Sequence, residues 1–194
     1  MDELTDGELM VMFKHGRREA FAVLFGRYRD HVWSYLRRLL GDAGAAEDLT
    51  QDTFLAVIRS RGTYEPRAPF AAWLFRIATN AARSHFRRGE RMTVHTLAED
   101  DPKVEPVAAL ERPEDCAYGS ELSAAFEEAV SELPGALKEV FLLHQVHGLG
   151  DGEVAHALDL APASVRVYLH RARKALYERL RPLLGDLKES RTDD

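Results

Sequence analysis

The sequence has little of several features that mark common classes of protein. It contains one cysteine, Cys116, in 194 residues, which excludes a disulfide-stabilised scaffold and a cysteine-based zinc site. No uncharged apolar run approaches the roughly 18 to 20 residues that a membrane-spanning helix needs. Met1 is followed by two acidic residues, Asp2 and Glu3, and no apolar stretch comes after them. We therefore expect no signal peptide and no membrane insertion. The composition predicts a cytoplasmic protein.

Motifs of catalytic chemistry are missing as well. The sequence has no glycine-rich phosphate loop and no nucleophile motif, so we expect no enzymatic activity and no cofactor. His144 and His147 stand three residues apart on a predicted helix, but no cysteine or carboxylate completes a metal site at a suitable spacing. We therefore expect no bound metal. Cys116 lies in an acidic segment that raises its pKa, and we expect an unreactive thiol.

The charge is unevenly distributed. Residues 99–121 contain eight acidic and two basic side chains, so this segment alone carries the whole net charge of −6. Two short windows are strongly basic: residues 76–91 contain five arginines, and residues 166–181 contain five arginines and Lys174. Such segregation indicates two basic surfaces and an acidic connector, and it makes a nucleic-acid partner plausible despite the negative total.

Hydrophobic periodicity is helical almost throughout, which predicts an all-α protein. Thr5 and Glu8 form the pattern of a capping box before a short first helix. A long helix should end at Gly41, followed by helices over residues 45–60 and from Pro69 to about Phe86 or beyond. We expect the long helix to bury one apolar face, made of Phe21, Leu24, Phe25, Tyr28, Val32, Tyr35, Leu36 and Leu39.

Residues 93–118 have no helical period and contain three prolines and the acidic cluster, so we predict a flexible linker. The predicted organisation is therefore a helical domain over residues 1–92, the linker over residues 93–118, a second helical domain over residues 119–187 and a frayed tail over residues 188–194.

The second block has the pattern of a helix-turn-helix. Helices are predicted from near Gly119 to Leu133, over residues 136–146 and over residues 153–158. A four-residue turn and a long helix from Ala163 to about Leu180 follow. At 100° per residue, one arc of the long helix is apolar and the opposite arc is basic. The apolar arc consists of Val165, Leu169, Ala172, Leu176 and Leu180. A basic exposed arc suits insertion into a major groove, although a solvated charged face is the alternative.

The first block carries two candidate surfaces. On the helix over residues 45–60, Leu55 stands among acidic and amide side chains, which suggests docking to a basic, partly apolar partner. On the fourth helix, Arg76, Asn80, Arg83 and Arg87 form a stripe with Trp73 at its border. Basic groups beside a stacking aromatic favour contact with single-stranded DNA. An ordinary acidic face and a core tryptophan are the respective alternatives.

Three strings in this order resemble the extracytoplasmic-function (ECF) sigma factors, the small members of the bacterial sigma-70 family. Residues 46–54 (AEDLTQDTF) resemble the string that binds core polymerase, and residues 70–80 (FAAWLFRIATN) resemble the promoter-melting, −10-reading helix. Residues 148–166 and 169–176 resemble the −35-reading helix-turn-helix. The resemblance covers about residues 15–183.

The resemblance implies partners and residue roles. Sigma domain 2 would bind the β′ subunit of bacterial core RNA polymerase, with the β subunit also contacted, through Glu47, Asp48, Gln51, Asp52 and Leu55. The melted −10 strand would be held by Trp73, Arg76, Asn80, Arg83, Ser84, Arg87 and Arg88. Sigma domain 4 would read −35 duplex promoter DNA through Ser164, Arg166, Val167, Tyr168, His170, Arg171, Arg173 and Lys174. The protein would associate with the nucleoid when in holoenzyme.

The resemblance also implies that the acidic linker runs through the polymerase cleft and RNA exit path, and that an anti-sigma factor holds the protein inactive. Family members usually carry aspartate at the position of Ser84 and a Ser-Arg pair at Val167-Tyr168. These departures affect which promoter sequence we expect the protein to read and leave its general role unchanged. The competing hypothesis is a stand-alone helix-turn-helix regulator with a helical partner-binding domain, which would bind duplex DNA without polymerase.

Overall fold

The structure is a computed structural model that describes residues 3–65, 68–89 and 120–189. It contains eight α-helices and no strand within those ranges, which confirms the predicted all-α class. No helix within the described ranges is both long enough and apolar enough to cross a membrane. The predicted linker over residues 93–118 and Cys116 lie outside the described residues.

The first block consists of four helices and one 3-10 turn. They are α1 (Asp6–Lys14), α2 (Arg18–Leu40), α3 (Ala43–Ser60), the 3-10 turn Arg61–Thr63 and α4 (Phe70–Gly89). Helix α2 packs against α1, α3 and α4, so its buried side chains form the centre of this domain. Tyr35 and Phe75 are fully buried there and meet edge to face with ring centroids 5.4 Å apart.

Local capping signals set the helix ends in this block. The capping box of α1 is present, with the Glu8 carboxylate accepting the Thr5 N–H at 2.8 Å. Helix α2 ends at Gly41, whose φ of 77° is in the left-handed region that glycine tolerates. Both predictions are confirmed. Helix α3 begins two residues earlier than predicted, because the Asp42 carboxylate accepts the Ala45 N–H at 3.0 Å and caps it.

The predicted buried face of α2 is correct except at Phe25. That ring is 38% exposed, although one of its sides packs on Phe54 with centroids 4.8 Å apart. Phe21 and Tyr28 are half-buried, whereas Leu24, Val32 and Leu36 are fully buried. Phe25 therefore lies at the edge of the α2–α3 contact and presents apolar surface to solvent.

The second block consists of α5 (Ser120–Ser131), α6 (Gly135–Phe141), α7 (Asp151–Leu158) and α8 (Pro162–Glu189). The predicted helix over residues 136–146 is not a single α-helix, because residues Leu142–Val146 form a π-helical turn after α6. Helix α8 extends to Glu189 and includes Pro182, so it passes the predicted end near Leu180. Since Glu178 and Pro182 are both exposed, water can bind the carbonyl group that proline leaves without a donor.

The turn between α7 and α8 has the geometry of a helix-turn-helix connection. Asp159 adopts a left-handed conformation with φ of 59°, and the Leu160 N–H donates to the Ala155 carbonyl at 2.9 Å. Pro162 opens α8, where its missing N–H is not needed. The predicted buried arc of α8 is confirmed, since Val165, Leu169, Ala172, Leu176 and Leu180 are all buried.

The two blocks pack against each other. Helix α4 of the first domain contacts α7 of the second, and α2 contacts α6. Neither the helical periodicity nor the charge pattern of the sequence predicts this arrangement. It brings the edge of α4 that carries Arg83 against the second domain, and it is the feature of the fold that most affects the candidate sites.

Candidate nucleic-acid and partner interfaces

The exposed face of α3 is acidic with one large apolar side chain. Leu55 is 44% exposed, whereas Leu49, Phe54 and Val57 on the same helix are buried in the domain core. Asp48, Gln51 and Asp52 are exposed, and Glu47 is half-buried. The five residues predicted to bind a partner therefore share the side of α3 that faces away from the core. This face of α3 thus combines negative charge with one exposed apolar side chain.

Two residues of α2 extend this face, and the sequence analysis missed both. The Arg29 guanidinium donates to the Glu47 carboxylate at 3.4 Å, and Phe25 adds a second exposed apolar side chain on α2, the helix packed against α3. Helical periodicity placed Phe25 in the core. Only the position of α3 shows that one side of its ring remains uncovered.

The predicted stripe on α4 is largely open to solvent. Arg76, Asn80, Arg87 and Arg88 are exposed. Trp73 is half-buried, with its ring 5.2 Å from Tyr64 and 6.0 Å from Phe70 between centroids. The indole is thus held by aromatic neighbours on one side while part of it stays accessible. This position at the border of the core agrees with the sequence analysis.

Ser84 and Arg87 contact each other on this stripe. The Arg87 guanidinium donates to the Ser84 hydroxyl oxygen at 2.7 Å, and Ser84 is half-buried. A serine here can accept this hydrogen bond without adding a negative charge beside the arginines. The net positive charge of the stripe is therefore preserved at Ser84.

Arg83 differs from the rest of the stripe. Its Nε and Nη2 donate to the two carboxylate oxygens of Glu139 at 3.0 and 2.6 Å, and Glu139 is only 7% exposed. This bidentate pair raises the pKa of Arg83, chiefly through the hydrogen bond to Glu139. Glu139 belongs to α6 of the second domain, so in this conformation Arg83 is engaged by its own chain.

The predicted reading helix α8 presents a mixed face outside the core. Arg166 and Lys174 are exposed. The other predicted contacts are half-buried, namely Ser164, Val167, Tyr168, His170, Arg171 and Arg173. The Arg166 Nε donates to the Asp151 carboxylate at 2.8 Å, and this contact lowers the pKa of Asp151. The first residue of α7 is thereby tied to α8, which fixes the two helices of the motif relative to each other.

The two candidate metal ligands have separate roles. His144 lies 3.2 Å from the Asp151 carboxylate, while the His147 ring packs among Tyr35, Phe75 and His31 with centroid distances of 5.9, 5.1 and 6.0 Å. No group of three metal-ligating side chains occurs in the part of the chain that the structure describes. Burial lowers the pKa of His147 to about 3, and the nearby His31 and Arg38 add to this effect.

Two protein-family models match the chain, one in each helical block. The Sigma-70 region 2 model matches residues 24–92, and the Sigma-70 region 4 model matches residues 123–176. These ranges correspond to the two helical blocks described above.

Relatives match along almost the whole chain. The RNA polymerase sigma factor CarQ of Myxococcus xanthus is 36% identical, over 92% of this chain and 97% of its own. The ECF RNA polymerase sigma-E factor of Haemophilus influenzae is 27% identical, over 94% and 99%. A solved structure of the sigma factor RpoE with the anti-sigma factor NepR, from Bartonella quintana, has a TM-score of 0.64 at 25% identity, over 83% of this chain and 96% of RpoE. The chain therefore belongs to the ECF sigma factors of the sigma-70 family.

Proposed function

We propose that this protein binds bacterial core RNA polymerase through the outer face of α3 and directs promoter-specific initiation. In this proposal α8 reads the −35 element as duplex, and α4 holds the −10 element as a melted strand. The observation that carries the proposal is the exposure of Leu55 among Asp48, Gln51 and Asp52 on a helix whose other large aliphatic side chains are buried or half-buried. A stand-alone regulator has no need of such a face.

Binding to core polymerase tests the proposal directly. The purified protein should form a stable complex with bacterial core RNA polymerase in a native gel, and an excess of another sigma factor should displace it. A folded protein that forms no complex and instead binds duplex DNA alone with high affinity would support the stand-alone regulator.

The basic face of α8 supports the assignment to −35 DNA. We expect Arg171→Ala to weaken −35-dependent initiation by about 1 to 3 kcal/mol, because an arginine that reads a base edge contributes roughly this much discrimination. The measurement compares holoenzyme initiation from promoters with intact and altered −35 elements. Arg181→Ala removes the same charge at an exposed position outside the predicted set, and it should retain the preference. An unchanged −35 preference in Arg171→Ala would remove that residue from the reading set.

The α4 stripe supports the assignment to the −10 strand, and its arginines predict a steep salt dependence. Promoter affinity of the holoenzyme should fall linearly on logarithmic axes as salt rises, because cations are released from the DNA. Replacing the exposed Arg76 by Gln should reduce this slope by about 1, while affinity for core polymerase stays unchanged. A flat salt response of the wild-type holoenzyme contradicts phosphate contact.

We also propose that an anti-sigma factor binds this chain. The support is the likeness to RpoE, whose solved structure contains the anti-sigma factor NepR. Co-purification of a tagged chain with a co-expressed candidate from the same genome is the direct test of this partner.

A further inference from the structure

The first residue of α7, Asp151, connects the two helices of the helix-turn-helix. One of its carboxylate oxygens accepts the Nε–H of Arg166 at 2.8 Å, and the other lies 3.2 Å from Nε2 of His144. The hydrogen bond from Arg166 is the chief cause that lowers the pKa of Asp151, so the carboxylate is ionised at neutral pH. Arg166 belongs to the face of α8 that is proposed to read the −35 element.

The neighbours of this carboxylate hold it in one orientation. An ionised carboxylate only accepts hydrogen bonds, so Nε2 of His144 is the donor towards Asp151. Nδ1 of the same ring then accepts from the side-chain amide of Gln145 at 2.6 Å. His144 and Gln145 both lie in the π-helical turn Leu142–Val146, and turns of this kind are frequent at functional sites. A chain of hydrogen bonds thus runs from this turn through Asp151 to Arg166.

Helix α7 does not need Asp151 in order to begin. The N–H of Gly150, its N-cap residue, donates to the Glu153 carboxylate at 2.8 Å, which is the backward contact of a capping box. A carboxylate in the first turn also gains from the helix dipole, but that gain requires no partner on α8. The hydrogen bond between Asp151 and Arg166 therefore calls for a further explanation.

The contact leaves the outer end of Arg166 available to DNA. Asp151 engages Nε, and the Arg166 side chain is 77% exposed, so its two Nη groups can bind another acceptor. Two parallel N–H groups match the O6 and N7 atoms of guanine in the major groove. Arg166 lies four residues after Pro162, the first residue of α8, and the N-terminal residues of a recognition helix are those that reach base edges.

We infer that Asp151 is a positioning residue that holds Arg166 in the orientation needed to read a guanine of the −35 element. This inference rests on the proposed function, which assigns α8 to that element. An arginine that is already oriented before binding loses less rotamer freedom when it contacts the base. The negative charge of Asp151, in contrast, weakens the attraction to every nearby phosphate. Asp151 thus raises the preference at one base pair and lowers general affinity for DNA.

The experiment uses the full-length chain with Asp151→Asn, which removes the charge and keeps the shape of the side chain. Holoenzymes assembled from core polymerase and each variant select from a duplex library randomised over both promoter elements, and sequencing gives the base preference at each −35 position. Affinity for a duplex without a promoter is measured on the same holoenzymes. Asp159→Asn is the matched control, because it makes the same change at an exposed position of the turn, where asparagine tolerates the left-handed conformation.

We expect the wild type and Asp159→Asn to prefer guanine at one −35 position and Arg166→Gln to lose that preference. Asp151→Asn should reduce it by about threefold to tenfold, with the preferences at the other positions unchanged and the affinity for promoter-free duplex unchanged or higher. In an Arg166→Gln background, Asp151→Asn should have no further effect at that position, because it acts through Arg166.

An Asp151→Asn protein with the wild-type preference would overturn the inference, as would an Arg166→Gln protein that keeps the guanine. An equal loss at all −35 positions would mean that Asp151 only supports the fold of the domain. A uniform gain in affinity with every preference retained would mean that it only repels DNA, and both results reject the positioning role. A wild-type chain that forms no holoenzyme in native gels, or a holoenzyme without any −35 preference, contradicts the proposed function itself.

Discussion

Leu55→Glu combined with Asp52→Lys should abolish binding to core RNA polymerase without unfolding the protein. Both side chains are exposed on α3, so the folded domain loses no core contact when they are replaced. At a partner interface the same changes remove an apolar anchor and reverse a charge. We expect the lost apolar anchor and the reversed charge together to cost about 3 kcal/mol or more, which lowers affinity by a factor of about 100 or more. Titration of labelled protein with core polymerase measures the loss.

A matched control separates docking from a general change of surface charge. Val11→Glu with Glu19→Lys makes the same two kinds of substitution at exposed positions of α1 and α2. That variant should bind core polymerase as the wild type does. Circular dichroism should show the same helix content and unfolding temperature for both variants. Wild-type affinity in the Leu55 and Asp52 variant would remove α3 from the docking surface.

The local features of this fold were readable from the sequence because they depend on neighbours in the chain. The capping box at Thr5 and the glycine end at Gly41 are contacts over three or four residues, and both are present. The buried arc of α8 follows from helical periodicity alone. The Asp42 cap was missed because Ala43 and Gly44 dilute the helix signal, although an aspartate before a helix is itself a capping signal.

The domain contacts were not readable in this way. Arg83 and Glu139 are 56 residues apart, and the periodicity of α4 and α6 contains no sign that they meet. Arg83 reads as one of several arginines on an exposed stripe, and Glu139 reads as an ordinary charge on a short helix. Phe25 is a similar case, since its exposure depends on where α3 stops covering α2. The candidate surfaces were thus predictable as sets of residues, but their accessibility required the tertiary structure.

The second large effect is a separation of the two domains in acid that depends on His147. This ring lies at the domain interface, and burial lowers its pKa from 6.5 to about 3. Ionisable groups of α2 stand around it, namely His31, Tyr35 and Arg38. Arg27 and Tyr28 of α2 and Glu153 of α7 line the same cavity. Helix α4 contributes the uncharged Phe75 ring. The Arg38 guanidinium opposes a further positive charge at this place.

The direction of the pH effect follows from the number of protons that each state binds. When the domains separate, His147 reaches water and its pKa returns towards 6.5, so the open state binds more protons than the closed state between pH 6.5 and about 3. Closure is therefore fully favoured above pH 6.5 and weakens as pH falls. At pH 5 the loss is about 2 kcal/mol, which is roughly a 30-fold shift of the closed-to-open ratio.

His147→Phe isolates this contribution, because phenylalanine keeps a ring against Tyr35 and Phe75 and cannot take up a proton. Protonation of Glu139 or other carboxylates in acid affects both proteins alike, so the difference between their pH profiles reports His147.

Spin labels on Arg18→Cys and Glu178→Cys, both exposed positions, in a Cys116→Ser background report the distance between the domains by pulsed electron resonance. We expect the wild-type distribution of this distance to shift towards longer values from pH 7.5 to pH 5 and the His147→Phe distribution to shift much less. Identical profiles would mean that His147 stays neutral and buried whether or not the domains separate, and that the ring is part of the second domain's own packing.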